Sequence, residues 1–288
     1  MTFLNKIPGP FLIFLGALCL SFGGIIVKSF EGANLWQILF WRQIFFSIIV
    51  ALYLLFTYKK NFFKKFYDSG FPGFIAGASL SVGFAAYVFA MYTTTVANTN
   101  FIITTETIFL AFIGYFFLKE KINLITLISI ILGMSGVLLI LGSSLSIQSS
   151  EQFIGNLVAF IMPLSFAVLV LIIRKYPKVD MIPAVFYAGI LSCLYGLFLL
   201  ENFAISTKDI WLAFLLGVPQ LAFGFIFITI GSRTTPAVMV GLLMLMESIF
   251  APIWVWLFYN EIPPISVLIG GIIILSAVVM KSLDYKKV

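Results

Sequence analysis

Residues 104–109 read Thr-Thr-Glu-Thr-Ile-Phe, and residues 118–120 read Leu-Lys-Glu. Residues 246–250 read Met-Glu-Ser-Ile-Phe, and Asn260-Glu261 follows. Glu106 and Glu120 are 14 residues apart, as are Glu247 and Glu261, and the two pairs are offset by 141 positions. At that offset, residues 94–140 align with 235–281 without a gap. Thr94, Ile108, Phe109, Phe117, Ser135 and Val137 also meet identical residues. Apolar identities arise easily in so apolar a chain, so the acidic positions carry the duplication. Ser21-Phe22 and Ser165-Phe166 extend it to the start of each half, at a slightly different offset.

The composition says what is duplicated. Of 288 residues, 62% are hydrophobic and 10% charged, with a mean hydropathy of +1.15. Soluble proteins run at about 45–50% apolar and about 25% charged. The apolar excess cannot fit within one soluble core, which excludes a soluble enzyme, a disordered chain and a nucleic-acid reader. Histidine is absent, which removes His-based catalysis, His-ligated metal and histidine proton relays. Cys19 and Cys193 stand alone in apolar runs and form neither a disulfide framework nor a metal site.

A spanning helix needs about 20 mainly apolar residues. Ten segments qualify: 10–27, 35–57, 71–92, 97–118, 124–141, 153–173, 181–200, 210–230, 236–258 and 265–280. They are continuous runs rather than alternating ones, so they predict helices and not barrel strands. The first, ended by Lys28 and Glu31 with no small-residue cleavage site, is expected to be an uncleaved helix. With the N-terminus in the cytoplasm, alternation places 14 lysines and arginines inside and only Lys28 and Lys208 outside. That asymmetry supports ten spans with both termini cytoplasmic. It also explains the net charge of +6 as a topology signal facing anionic lipid.

Each half holds five spans. An odd number inverts the second copy relative to the first, and inverted repeats are a transporter signature with substrate near mid-membrane. The expected fold is therefore an all-α membrane protein of ten transmembrane helices in two inverted five-helix repeats. Residues 1–142 form the first repeat, 143–152 an outer linker and 153–288 the second repeat.

The chain resembles the EamA family of the drug/metabolite transporter superfamily. The resemblance lies in the stretches around Glu106 and Glu247, in Glu120 and Glu261, in Trp41-Arg42 and in Gly133-Met134-Ser135-Gly136. Family members often carry proline after the first glutamate. Here Thr107 and Ser248 stand in its place, with Pro252 four residues past Ser248, so a kink built on that proline is not expected. The resemblance implies transport of a small polar metabolite such as an amino acid or amine.

Arg42, Glu106 and Glu247 lie deep in their spans, where a charge costs about 2.5–3.5 kcal/mol on insertion scales and marks a pathway. They are the leading candidates for substrate binding or coupling. Their formal sum of −1 leaves one glutamate for a cationic group or a proton if Arg42 pairs with the other. Thr95, Thr99, Glu106 and Ile113 share one face of a continuous helix at about 100° per residue. Thr99 and the nearby Asn98 are therefore added, although their alternative role is bonding between helices. Tyr87 and Trp41, with Trp36, Tyr92, Tyr195 and Trp254, are candidate aromatic walls for an ammonium. Close helix packing is expected at Gly73 and Gly77 and at Gly217, Gly224 and Gly231. Glu120 and Glu261 are expected to bond backbone rather than substrate.

These features predict a non-enzymatic secondary transporter of the inner membrane, working by alternating access without metal, cofactor or nucleic acid. Its partners are a small-molecule substrate, membrane lipid and candidate coupling protons, and its expected state is a monomer or homodimer. Export is the leading direction. Uptake or exchange on the same fold is the alternative, and an intramembrane enzyme or receptor is the remote one.

Overall fold

The computed structural model describes residues 3–142, 149–260 and 263–285. Its main elements are α1 (Gly9–Leu20), α2 (Gly23–Lys28), α3 (Leu35–Tyr58), α4 (Phe62–Thr93), α5 (Val96–Thr104), α6 (Glu106–Leu118), α7 (Leu124–Leu141), α8 (Ser150–Ala159), α9 (Ile161–Lys175), α10 (Ile182–Leu199), α11 (Thr207–Leu215), α12 (Phe223–Ser232), α13 (Ala237–Met244), α14 (Met246–Tyr259) and α15 (Ile265–Tyr285). No strand occurs among the described residues. Among the described residues nine stretches are long and apolar enough to cross a membrane, and one of them, Leu35–Thr93, has 59 residues. At 1.5 Å per residue that is about 88 Å, far more than a bilayer core of about 30 Å. It turns at Lys59, whose φ of 46° leaves the helical region, so α3 and α4 are two crossings and the total is ten.

Inside α4, Gly70 has φ 51° and ψ −156°. This is backbone that a side chain rarely tolerates. It separates a short basic, aromatic segment at 62–69 from the crossing that begins near Phe71.

Four of the ten spans are interrupted, and the breaks in the fourth and ninth fall at matching places in the two halves. The first breaks between α1 and α2, the sixth at Phe160, the fourth at Thr105 and the ninth at Leu245. Thr105 and Leu245 carry ψ of −11° and −18°, and the amides of Ile108 and Ser248 reach back three residues to their carbonyls. These are tight 3₁₀-like turns. Proline is not required. Thr104 Oγ1 donates to the Phe101 carbonyl at 2.6 Å and Thr105 Oγ1 to the Ile102 carbonyl at 2.5 Å. Hydroxyls thus supply the bonds that an interrupted membrane helix must find. In α14, Pro252 has no N–H to donate to the Ser248 carbonyl.

The halves interlock rather than sit side by side. The third span packs on the sixth as the eighth packs on the first, and the fourth packs on the sixth as the ninth packs on the first. The pairs α3–α10 and α7–α15 map onto themselves, and the fourth span meets the ninth through α6 and α13. This exchange of partners is a pseudo-twofold relation. Gly136 and Gly270 meet across α7 and α15, and a Cβ on either would come within 2.6–2.7 Å of the other's carbonyl oxygen. Gly217 lies against the Arg42 carbonyl, and Gly231 against that of Gly9.

The ends sort into two sets. The loop after the first span meets the loop after the seventh. Asp209 there is 1% exposed and accepts from the amides of Glu31, Gly32 and Ala33, and Glu31 pairs with Lys208. At the other end, Glu120 pairs with Arg174 at 3.0 Å. The loop after the first span and its counterpart after the sixth therefore lie at opposite ends, so the second repeat is inverted.

Candidate substrate cavity

A cavity of about 530 Å³ begins at Glu106 and Glu247 and runs to the helix ends at Lys28, Leu141 and Pro264. Its walls come from the broken spans. They include Gly24 and Ile25 of α2, Val96, Ala97, Asn100, Ile103 and Thr104 of α5, and Met244, Ser248, Ala251, Pro252 and Val255 of α13 and α14. Glu106 opens α6 and Glu247 lies in the first turn of α14, so both carboxylates follow a tight turn. Helix N-termini are the electropositive ends, which moderates the cost of burying an acid. Among the described residues neither glutamate has a basic group within ion-pair distance.

A narrow extension of about 30 Å³ adjoins this cavity and shares Ile103, Glu106, Met244 and Glu247 with it. Arg42, Phe84, Tyr87, Phe166, Gln220 and Phe225 also line it. Arg42 is fully buried. Its Nη2 donates to the Phe84 carbonyl at 3.2 Å, and its guanidinium lies 5.7 Å from the ring centroids of Phe84 and Tyr87. The pairing of Arg42 with a glutamate, expected from the charge sum, is not present. Phe84 and Tyr87 take the guanidinium's faces instead.

Arg42, Glu106, Glu247 and Tyr87 thus come together around one connected space. Asn98, Thr99 and Trp41 do not line it. Asn98 is buried and bonds Thr94 and Asn156. Thr99 Oγ1 donates to the Thr95 carbonyl at 3.1 Å. The Trp41 indole donates to the Phe203 carbonyl at 3.0 Å, near the α10–α11 loop. A helical wheel drawn straight through Thr105 puts Thr99 on the Glu106 face, but the helix is interrupted at Thr105. A 3₁₀ turn advances about 120° per residue instead of about 100°, and Asn100, Ile103 and Thr104 take the cavity side. Trp254 stacks on Phe22 at 4.3 Å and donates to Ser21 Oγ at 2.8 Å, bracing the break in the first span.

Lys28, Asn100 and Gln220 were not singled out from the sequence as site residues. Gln220 had a readable signal, as the one amide in an otherwise apolar span next to Pro219.

The end opposite the mouth carries a polar network, in which Glu120 bridges the two repeats. Glu120 Oε1 accepts from Arg174 Nη2, and its Oε2 accepts from the Ala237 amide at 2.9 Å. Arg174 Nη1 reaches the Arg233 carbonyl, and Arg233 Nε reaches that of Pro177. Glu120 therefore caps α13, a backbone role without substrate. Its counterpart Glu261 falls outside the described residues.

The EamA-like transporter family model matches residues 7–142 and 153–283. The chain belongs to this family and is a multi-pass membrane transporter, not an enzyme. It is 25% identical over 280 residues to an S-adenosylmethionine uptake transporter of Rickettsia bellii (strain RML369-C), covering 95% of this chain and 93% of that one. It is likewise 25% identical to the protein of the same name from Rickettsia conorii (strain ATCC VR-613 / Malish 7), covering 91% and 88%. Solute carrier family 35 member G1 of Mus musculus is 24% identical, covering 88% and 73%. One solved structure, titled only as the crystal structure of a protein, matches with a TM-score of 0.79 at 16% identity, over 97% of this chain and 98% of that one. That likeness establishes the fold alone.

Proposed function

We propose that the protein is an inner-membrane uptake carrier for a small cationic or zwitterionic metabolite of the S-adenosylmethionine type. In this reading it works by alternating access as a single chain, with both termini cytoplasmic and residues 1–142 and 153–288 as its two arms. The observation that carries the reading is the pair Glu106 and Glu247. They come from matching broken spans and face one cavity without a basic partner among the described residues. Buried acids at that depth are costly, and a cationic substrate is their natural counter-ion. S-adenosylmethionine carries a sulfonium and an α-ammonium. A cavity of about 530 Å³ suits a compound of that size, since small-molecule sites span about 300–1,000 Å³.

The relatives and the shape support uptake as the direction. The curated relatives in Rickettsia are uptake transporters by name, which favours uptake over the export first expected. The mouth lies at the end carrying Lys28, which the charge distribution places outside, so the cavity would load from there. Glu106 and Glu247 would also carry any coupling proton.

Purified protein in liposomes should take up labelled S-adenosylmethionine saturably. Glu106→Gln or Glu247→Gln should lower uptake by about 10-fold or more, the scale of one lost charge-assisted contact, and should flatten its pH profile. Uptake no greater than in protein-free liposomes would overturn the substrate. Full, pH-independent uptake by both variants would overturn the role of the glutamates.

A further inference from the structure

The narrow extension beside the cavity holds two unmatched polar atoms of opposite kind. Arg42 Nε is a donor and Gln220 Oε1 an acceptor. Both are buried without a hydrogen-bond partner, and both side chains line the extension. Arg42 is 0% exposed and Gln220 4%. Leaving such groups unmatched is costly, more so when charged, so the structure asks for a ligand there. The other atoms of both side chains hold them in place. Arg42 Nη2 is on the Phe84 carbonyl, and Gln220 Nε2 is on the Leu20 carbonyl at 3.2 Å.

The backbone around Gln220 points the same way. Leu216–Ala222 forms a π-helical turn between α11 and α12, with Pro219 inside it. Such wide turns are rare and concentrate at functional sites. The start of α2 packs closely against Tyr87 and Gln220. A Cβ on Gly23, after the break in the first span, would come within 2.9 Å of the Tyr87 hydroxyl and 3.1 Å of Gln220 Nε2. Arg42 is further fixed from behind by Gly217, where a Cβ would come within 2.4 Å of the Arg42 carbonyl.

We infer that this extension is the head-group subsite for an α-amino acid, with Arg42 receiving the carboxylate and Gln220 accepting from the α-ammonium. A donor cation and a neutral acceptor on two side chains that line one small space match the two groups that an amino acid carries on a single carbon. Among the described residues Arg42 has no carboxylate within ion-pair distance, so its charge is available to a ligand. The remainder of the substrate extends into the larger cavity past Glu106 and Glu247, which line both spaces. Ile103 and Met244 form the neck between them, and methionine readily adapts to an entering group. The alternative occupant is a buried water bridging the two unmatched atoms.

The inference rests on the reading of this cavity as the substrate site, and its test separates the two. The probes are S-adenosylmethionine, its decarboxylated analogue and its deaminated keto-acid analogue, used as competitors of uptake in liposomes. Wild-type protein should prefer S-adenosylmethionine over the decarboxylated compound by about 10- to 100-fold. Arg42→Gln should bring those two within about twofold, about 0.4 kcal/mol. Gln220→Leu leaves Arg42 intact and serves if Arg42→Gln fails to fold. It should narrow the preference over the keto acid while sparing the preference over the decarboxylated compound. Equal competition in wild type would overturn the subsite, leaving water as its occupant, while uptake itself would still support the carrier. If S-adenosylmethionine is not taken up at all, the proposed substrate fails. The subsite is then judged by thermal shifts with arginine against agmatine and lysine against cadaverine. No preference for the carboxylated member of either pair overturns it.

Discussion

Asp180 shows how a single buried group at a membrane surface can set a pH response. It lies in the loop between α9 and α10, accepts from the Ile182 amide at 3.0 Å and receives the Tyr58 hydroxyl. Burial pushes its carboxyl above the usual range, against the opposing pull of the Ile182 amide and Arg233. The folded protein therefore disfavours the charged form more than the unfolded chain does. Its contribution to stability is fully present below the ordinary aspartate value of about 3.9 and is lost as pH rises through the raised value. Asp180→Asn should flatten this part of the stability–pH curve, measured as Tm in detergent across a pH series; an unchanged curve would count against it. At the same scale, depth in the span was legible for Arg42, Glu106 and Glu247, because a charge among apolar neighbours is visible in one dimension. The partner of Arg42 was not. The guanidinium stacks on Phe84 and Tyr87, and a side chain's facing depends on the packing of α3 against α4 and the π-helical turn.

At the scale of elements, the interruptions decide the site. Both glutamates follow 3₁₀-like turns within two residues of Thr105 and Leu245, and each turn moves the next helix off the preceding face. No proline marks the turn in the fourth span, so the sequence offered only a cluster of threonines. The two halves share further detail. Lys119 and Asn260, at the same 141-residue offset, both end their helices in the left-handed region with φ 55°. After Lys119 the Glu120 amide returns to the Gly114 carbonyl at 2.8 Å, which swings the Glu120 carboxylate onto the start of α13. Glu120→Ala would remove that cap and release Arg174. A loss of about 1–2 kcal/mol is expected from the cap, read as a lower Tm in detergent, and no change in Tm would refute the capping role. Because this network lies at the end opposite the mouth, the same variant tests whether its bonds hold that end shut: accessibility of a cysteine introduced beneath it should rise.

At the scale of the molecule, a pseudo-twofold makes each repeat complete the other. α1 is covered by α12 and α13, and α9 by α4 and α6. Neither repeat can bury its interrupted helices alone. The placement of Lys208 and Glu31 at one end, and of Glu120, Arg174 and Arg233 at the other, groups the loops as the charge asymmetry does. It leads to a topology test in a Cys19→Ser, Cys193→Ser background. Lys208→Cys should be labelled by an impermeant maleimide in intact cells, and Lys121→Cys only after permeabilisation. The reverse pattern would invert the orientation and the direction of loading.

By itself the sequence determined the class of protein, the ten crossings, the duplication and its inversion. Apolar length, charge sidedness and an odd number of spans per half are one-dimensional quantities that the bilayer converts directly into topology. Only the tertiary structure decided which residues share the cavity. Asn98 bonds Asn156 of another helix and Thr99 bonds its own helix, while Asn100 and Gln220 join Glu106, Glu247 and Arg42 around the connected space. The reason is that a side chain's facing is set by helix breaks and by contacts between residues more than 100 positions apart, such as Gly217 on Arg42 and Glu120 on Ala237.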